Sequence, residues 1–348
     1  MGNNRFKQTL FVSLFFIVQA ANVTWARADD LCQTVFQETV PKDQCQAEEC
    51  YLFAFLGHLE ERNANRRNIP NGPTFSGGYL FAAKIQSWIR DAVWYGPKSA
   101  DTFYPLEGGF IHTAIQMVHQ HGLVPDSEFH PTVPYSAWPF KTIYEHLNTR
   151  AAELAQYVGL IRAQRGSTAP ETVQAYRDSV AELTNYIEQY SGKLPTLVQW
   201  EGQTVTPADL WKKYGAESEM DVWVDYPKDG WAEGDWSFFK KRMDQATEKF
   251  FDGWFANPRS DQEIVQRIIQ YVEAKEPLLI ELKWGDDLRE AHMLVIDGIE
   301  RNAAGLLTRI RLKNSWGPNW GDHGSKWYEW SWISPRLRAV IYYGAQAK

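Results

Sequence analysis

The chain has few cysteines, no excess of basic residues and no apolar run long enough to be a confident membrane span. Its 348 residues include 3 cysteines and 36 Lys and Arg against 43 Asp and Glu, which gives a formal net charge of −7. The acidic balance and the absence of a basic stripe argue against nucleic acid as a partner. The function must therefore be sought in a globular, mildly acidic chain.

The N-terminus has the pattern of a secretory signal peptide. Basic residues precede an apolar run from about Leu10 to Ala21, and a small-x-small site follows at Ala26–Ala28. Such a run is too short for a stable membrane anchor and is typical of a signal peptide, here residues 1–28. We expect a secreted or periplasmic protein whose residues 29–348 form one large domain.

Cys50 stands at the start of a run with helical spacing. Phe53, Leu56 and Leu59 recur at helical intervals after it. A thiol at a helix N-terminus beside a cationic histidine has a lowered pKa and can act as a nucleophile. Gln44, six residues earlier, could lend its side-chain amide to an oxyanion hole together with the Cys50 N–H.

The C-terminal part supplies the partners that such a nucleophile needs. His292 opens an apolar run, Met293 to Ile296, that predicts a buried strand. Asn314 ends a second alternating strand and is followed by Trp316. If the two strands form a hairpin, the asparagine can orient the imidazole ring while the ring takes the thiol proton.

Three motifs occur in the order Q-x5-C-[WY], A-H-x-hydrophobic and KNSWG-x-x-WG-x-x-G. This pattern resembles the papain-like cysteine peptidases. The resemblance implies an α+β, papain-like two-lobed fold with a helical N-terminal lobe and a β-rich C-terminal lobe. It also implies that Cys50 attacks, His292 is base and then acid, Asn314 orients His292, Gln44 stabilises the oxyanion and Trp316 shields the His–Asn pair. The implied substrate is a peptide or protein, and no cofactor is expected.

Several segments resemble the bleomycin hydrolase and aminopeptidase C branch more than papain itself, namely FSGGYLF, the EGG before a helix, HGLVP and TPADLW. The Gly108–Gly109 pair has two interpretations. Its bare backbone could approach an extended substrate and pair with it like a short strand, or the pair could be a plain helix-entry turn. We take both glycines as candidate substrate-binding residues.

Residues 141–200 contain two long amphipathic segments that predict a helical hairpin, inserted between the lobes. Thr168 is the predicted N-cap of the second helix, with Glu171 reaching back and Pro170 in the first turn. We expect no metal site, because no companion ligands stand at fixed spacing from the histidines of the N-terminal half, His112, His119, His121 and His130.

Two acidic residues, Glu48 and Glu49, precede the nucleophile where the family usually has small residues. Either both cap the helix and face solvent, or at least one faces the cleft. The two negative charges should raise the pKa of Cys50. In the second case the residue that faces the cleft would also attract a substrate with a positive charge near the scissile bond. Glu49 is therefore a candidate substrate-binding residue.

An odd number of cysteines in an oxidising compartment predicts one disulfide and one free thiol. Cys32–Cys45 is the favoured pair. The alternative, Cys45–Cys50, would inactivate the nucleophile by oxidation.

The sequence leaves two other functional classes open. An amine could capture the same thioester, which would make the protein a transpeptidase or an amide-forming enzyme. The chain could also be a non-catalytic peptide-binding homologue with a degenerate cleft, although the set Gln44, Cys50, His292 and Asn314 is intact. The oligomeric state has no signature in the sequence.

Overall fold

The computed structural model describes residues 32–36, 38–47, 49–68, 72–97, 111–215, 222–227, 254–285 and 290–343. The predicted signal peptide lies outside the described residues. Within the described ranges, no helix is both long and apolar enough to cross a membrane.

Helices make up most of the first part of the described chain and a single sheet most of the second. The helices are α1 Cys50–Arg67, α2 Gly77–Tyr95, α3 Ile111–His121, α4 Phe140–Arg165, α5 Pro170–Ser191, α6 Pro207–Tyr214, α7 Asp261–Glu273 and α8 Trp330–Ile333. This distribution confirms the predicted α+β class, with a helix-rich N-terminal part and a β-rich C-terminal part.

The strands are β1 Cys32–Val35, β2 Val198–Trp200, β3 Gln203–Val205, β4 Val222–Pro227, β5 Trp254–Arg259, β6 Leu278–Trp284, β7 Glu290–Arg301, β8 Leu307–Lys313, β9 Ser325–Glu329 and β10 Leu337–Tyr343. The main sheet has the order β5-β4-β10-β6-β7-β8-β9, and β1 also pairs with β7. The hairpin β7–β8 is antiparallel, as the sequence predicts, and Asn314 directly follows its second strand.

The sheet separates two apolar cores because successive residues of a strand point to opposite faces. Leu279 and Val295 pack with the helices of the N-terminal part. Ile280 and Ile296, their neighbours in sequence, pack on the other face with α7. Helix α1 lies against β7, where Gly57 faces Val295.

The predicted helical hairpin is present as α4 and α5, but its cap differs from the prediction. Ala169 is the N-cap of α5 and Pro170 its first residue, and no side chain caps the helix. Thr168 therefore does not form the predicted capping box, because Pro170 at the first helical position moves the cap one residue later. Capping boxes form instead at Thr206 before α6 and at Ser260 before α7.

Buried ion pairs join α1 to the segments on either side of it. Lys313, the last residue of β8, lies 2.9 Å from Glu61, and Lys42 lies 2.7 Å from Glu60. Lys313 also donates to the backbone carbonyl of Thr39 at 3.0 Å. Helix α1 is thus tied both to the strand that precedes Asn314 and to the segment that precedes Gln44.

Candidate active site

Cys50 is the first residue of α1 and is partly buried. The backbone N–H groups of Met293 and Tyr51 lie near its sulfur and act to lower the pKa of the thiol. Met293 follows His292 in β7, so the strand that carries His292 packs against the helix that carries Cys50. Helix packing against the sheet therefore brings the start of α1, with Cys50, to the residue that follows His292.

His292 and Asn314 are both buried and form a direct hydrogen bond. The Nε2 atom of His292 lies 2.7 Å from Oδ1 of Asn314. The same oxygen accepts a hydrogen bond from the backbone N–H of Ser315 at 2.8 Å. Because an amide oxygen can only accept, Nε2 of His292 carries the proton and Nδ1 has a free lone pair. Asn314 therefore holds the imidazole in the tautomer that a general base requires.

Two tryptophans cover this pair. The ring centroid of Trp316 lies 4.9 Å from that of His292, and the centroid of Trp284 lies 5.1 Å away. The two indoles meet edge to face at 5.8 Å. They pack beside the buried His292–Asn314 hydrogen bond, while Trp316 remains 39% exposed. Sequence reasoning identified Trp316 but missed Trp284. Trp284 is the last residue of β6 and pairs with Glu290 of β7.

Gln44 is held by the segment that follows Asn314. Its backbone N–H donates to the carbonyl of Ser315 at 2.8 Å, and its Oε1 accepts from the Ser315 hydroxyl at 2.5 Å. One N–H of its amide donates to the carbonyl of Ala47 at 2.7 Å. The second N–H of the NH₂ group is thereby fixed in direction. An oxyanion donor at this position would be rigid before substrate binds.

The electrostatics of the site favour a neutral resting pair. Burial raises the pKa of Cys50 to about 12, and the charges of Glu281 and Glu49 act in the same direction, although the Met293 N–H opposes them. Burial lowers the pKa of His292 to about 4, and the bond to Asn314 offsets this only in part. At neutral pH the Cys50 thiol and the His292 imidazole are therefore both uncharged.

Glu281 is a second residue that sequence reasoning missed. It is buried in β6, pairs with Met293 across the sheet, and lies 3.5 Å from the Arg338 guanidinium of β10. Only the register between β6 and β7 reveals that this carboxylate acts on Cys50.

The structure corrects the expectation that Glu49 meets substrate or solvent. Glu49 has no exposed surface, and its Oε1 lies 2.6 Å from Nζ of Lys84, which is also buried. Its side chain makes no capping hydrogen bond to α1. The reason is that α2 packs beside the start of α1 and supplies a cation at that point. The other acidic candidate, Glu48, lies outside the described residues, as do Gly108 and Gly109.

The favoured disulfide Cys32–Cys45 is not formed, since all three cysteines are free thiols. Cys32 pairs with Arg301 at the far end of β7. Cys45 follows Gln44, near the opposite end of that hairpin, where Val295 pairs with Lys313. Arg301 and Val295 are six residue steps apart along β7, or roughly 20 Å, far beyond the reach of a disulfide.

The described residues contain no group of three or more His, Cys, Asp or Glu side chains that could hold a metal ion. Of the histidines considered above, His121 bonds the Ser87 hydroxyl at 2.8 Å through Nε2. That contact gives it a structural partner within the helical part.

No known protein-family model matches the chain, and no curated protein matches it in sequence. Solved structures do match. PepW from Lactobacillus rhamnosis HN001 is 16% identical with a TM-score of 0.66, over 97% of this chain and 90% of PepW. Digestive procathepsin L 3 from the larval midgut of Tenebrio molitor is 14% identical, over 92% of this chain and 72% of that chain, with a TM-score of 0.39.

A further match is the proform of Amb a 11, a cysteine protease and ragweed pollen allergen. It is 16% identical, over 95% of this chain and 74% of that chain, with a TM-score of 0.35. At these identities the matches show the fold alone. Together with the described elements, the similarity to PepW shows that the chain has the papain-like α+β fold.

Proposed function

We propose that the protein is a cysteine peptidase that hydrolyses peptide or related amide bonds through a thioester on Cys50. The observation that carries this proposal is the hydrogen-bonded His292–Asn314 pair on the strand hairpin whose Met293 N–H contacts the Cys50 sulfur. A structural histidine would not need a neutral tautomer fixed by an asparagine and covered by two indoles.

In the proposed reaction, Nδ1 of His292 takes the thiol proton as the Cys50 sulfur attacks the substrate carbonyl carbon. The developing oxyanion accepts hydrogen bonds from the Cys50 N–H and the Gln44 amide. His292 then gives its proton to the leaving amine, and the thioester forms. Water, deprotonated by His292, attacks the thioester and releases the acid.

The substrate would lie as an extended chain beside Trp316, with Gly108 and Gly109 as proposed backbone contacts. The resemblance of several segments to the bleomycin hydrolase and aminopeptidase C branch supports placing the enzyme near that branch. The pattern of residues 1–28 supports secretion, or export to the periplasm, after cleavage of the signal peptide.

The proposal is tested by hydrolysis of a peptide library by the wild type and by three variants. Cys50→Ala should abolish kcat with little change in stability, because the residue's role is chemical. His292→Ala should lose a similar factor, whereas Asn314→Ala should lose less because it acts through orientation. Equal activity of Cys50→Ala and the wild type would exclude the assignment.

The same assay separates hydrolysis from amide formation. With an added amine acceptor, a peptidase yields mainly the free acid, whereas a transpeptidase yields the aminolysis product, which differs in mass. Binding of peptides without any turnover would indicate a non-catalytic homologue.

A further inference from the structure

Glu49, the residue before the candidate nucleophile Cys50, forms an ion pair with Lys84. Both side chains are buried, and the atoms Oε1 and Nζ are 2.6 Å apart. The carbonyl of Glu49 accepts the first backbone bonds of α1, from Leu52 at 2.9 Å and Phe53 at 3.2 Å. Glu49 is therefore fixed both by its backbone and by its charge, one residue before Cys50.

A buried carboxylate at this position opposes ionisation of the thiol. Other charged or titratable groups face the site from several elements. Glu281 faces Cys50 from β6, and His292 belongs to β7. Burial and the Glu49 charge both raise the pKa of the Tyr51 and Tyr135 hydroxyls. The Lys84 ammonium lies 5.3 Å from the centroid of the Tyr51 ring. Tyr144 of α4 in turn acts on Tyr135.

We infer that Lys84 is a positioning residue for the nucleophile. Lys84 neutralises Glu49, so that Cys50 can give up its proton to His292. The inference rests on the proposed function, because it requires Cys50 to react as a thiolate. Lys84 lies on α2 and acts through Glu49, not by touching the substrate.

The two members of the pair should have opposite effects on the thiol, although loss of either one breaks the same contact. Lys84→Met leaves an uncompensated carboxylate that resists formation of the thiolate once Glu49 is ionised. Glu49→Gln removes the opposing charge and favours the thiolate. A unit charge near a partly buried thiol shifts its pKa by roughly one unit, or about tenfold in thiolate fraction.

The test is the rate at which iodoacetamide alkylates Cys50 between pH 6 and 10. Quantifying the Cys50 peptide by mass spectrometry separates it from Cys32 and Cys45. We expect the alkylation rate at a fixed pH to fall in the order Glu49→Gln, wild type, Lys84→Met, by about tenfold per step. The double variant should lose the slow phenotype of Lys84→Met. Arg150→Met, which breaks an exposed pair with Glu182 on the α4–α5 hairpin, is the control for net charge and should match the wild type.

Shifts in the same direction for both single variants, or no shift in either, would overturn the inference and leave the pair a structural one. If Lys84→Met does not fold, Glu49→Gln decides alone, since an unchanged or slower alkylation rate contradicts the inference. Alkylation does not require turnover. The predicted order in a protein that hydrolyses no peptide would therefore support the role of Lys84 and reject only the proposed peptidase function.

Discussion

Replacing Lys313 with methionine should destabilise the protein strongly and in a pH-dependent way. The Lys313 ammonium is buried, lies 2.9 Å from Glu61 and also donates to the backbone carbonyl and the hydroxyl of Thr39. Removing it leaves the Glu61 carboxylate buried without its cation, which typically costs about 3–5 kcal/mol of unfolding free energy.

The pH dependence follows from the titration of Glu61. Burial raises its pKa to about 7, and Lys313 lowers it in part. The native state therefore holds this proton more tightly than the unfolded chain, so its contribution to stability falls as pH rises from about 4.5 through 7. Without Lys313 the pKa rises further, and the loss in Lys313→Met should be larger at pH 8 than at pH 5.5.

Urea unfolding of the wild type and Lys313→Met at these two pH values measures both effects. Glu61→Leu combined with Lys313→Met should recover much of the loss, because apolar replacement removes both buried charges. Arg150→Met, at an exposed pair, should change little. A loss below about 1 kcal/mol at pH 8 would show that this pair does not hold α1 to β8.

Three further results are expected. Mass spectrometry after alkylation in denaturant without reductant should find Cys32, Cys45 and Cys50 all modified, and a disulfide between any two would contradict the structure. Glu281→Gln should speed alkylation of Cys50 by iodoacetamide at a fixed pH, because this buried carboxylate opposes ionisation of the thiol; an unchanged or slower rate would exclude that effect. His58 is buried with its pKa lowered to about 3, mainly by burial, so the unfolded chain takes up its proton first as pH falls below about 6.5. His58→Gln should therefore reduce the acid loss of unfolding free energy at pH 4.5 by about 2–3 kcal/mol, measured by urea unfolding, and an unchanged acid loss would argue that His58 is protonated when folded.

The positions of Cys50, His292 and Asn314 could be predicted because each stands at the boundary of a strongly patterned element. The helix after Cys50 and the two strands around His292 and Asn314 form as their apolar spacing indicates. Antiparallel pairing of consecutive strands then brings His292 and Asn314 together, and this pairing is a common local rule. The order of the three sequence motifs, through the family resemblance, predicted a helical first part and a β-rich second part.

The environment of Glu49 could not be predicted in the same way. Its partner Lys84 comes from another helix, and no spacing rule relates the two residues. Two adjacent glutamates, Glu48 and Glu49, are expected from the sequence to be exposed to solvent, since buried carboxylates are rare unless they are paired. The placement of Glu281 beside Cys50 likewise depends on the register between β6 and β7.

The disulfide prediction was wrong for a related reason. The number of cysteines shows whether one must remain unpaired, but not how far apart any two of them lie in the fold. Cys32 is the first residue of β1 and pairs with Arg301 at the far end of β7, while Cys45 lies in the turn beside Gln44. The register of a single strand decides this separation, and nothing near Cys32 in the sequence predicts which strand β1 joins.

The central claim is that Cys50 is a nucleophile activated by His292. Incubation with an epoxide thiol trap such as E-64, followed by peptide mapping, tests it most directly. We expect one adduct, on Cys50, formed at least tenfold more slowly in His292→Ala, since loss of a general base typically costs a factor of 10² or more. An adduct on Cys32 or Cys45 instead, or a Cys50 adduct that forms equally fast in His292→Ala, would contradict the account.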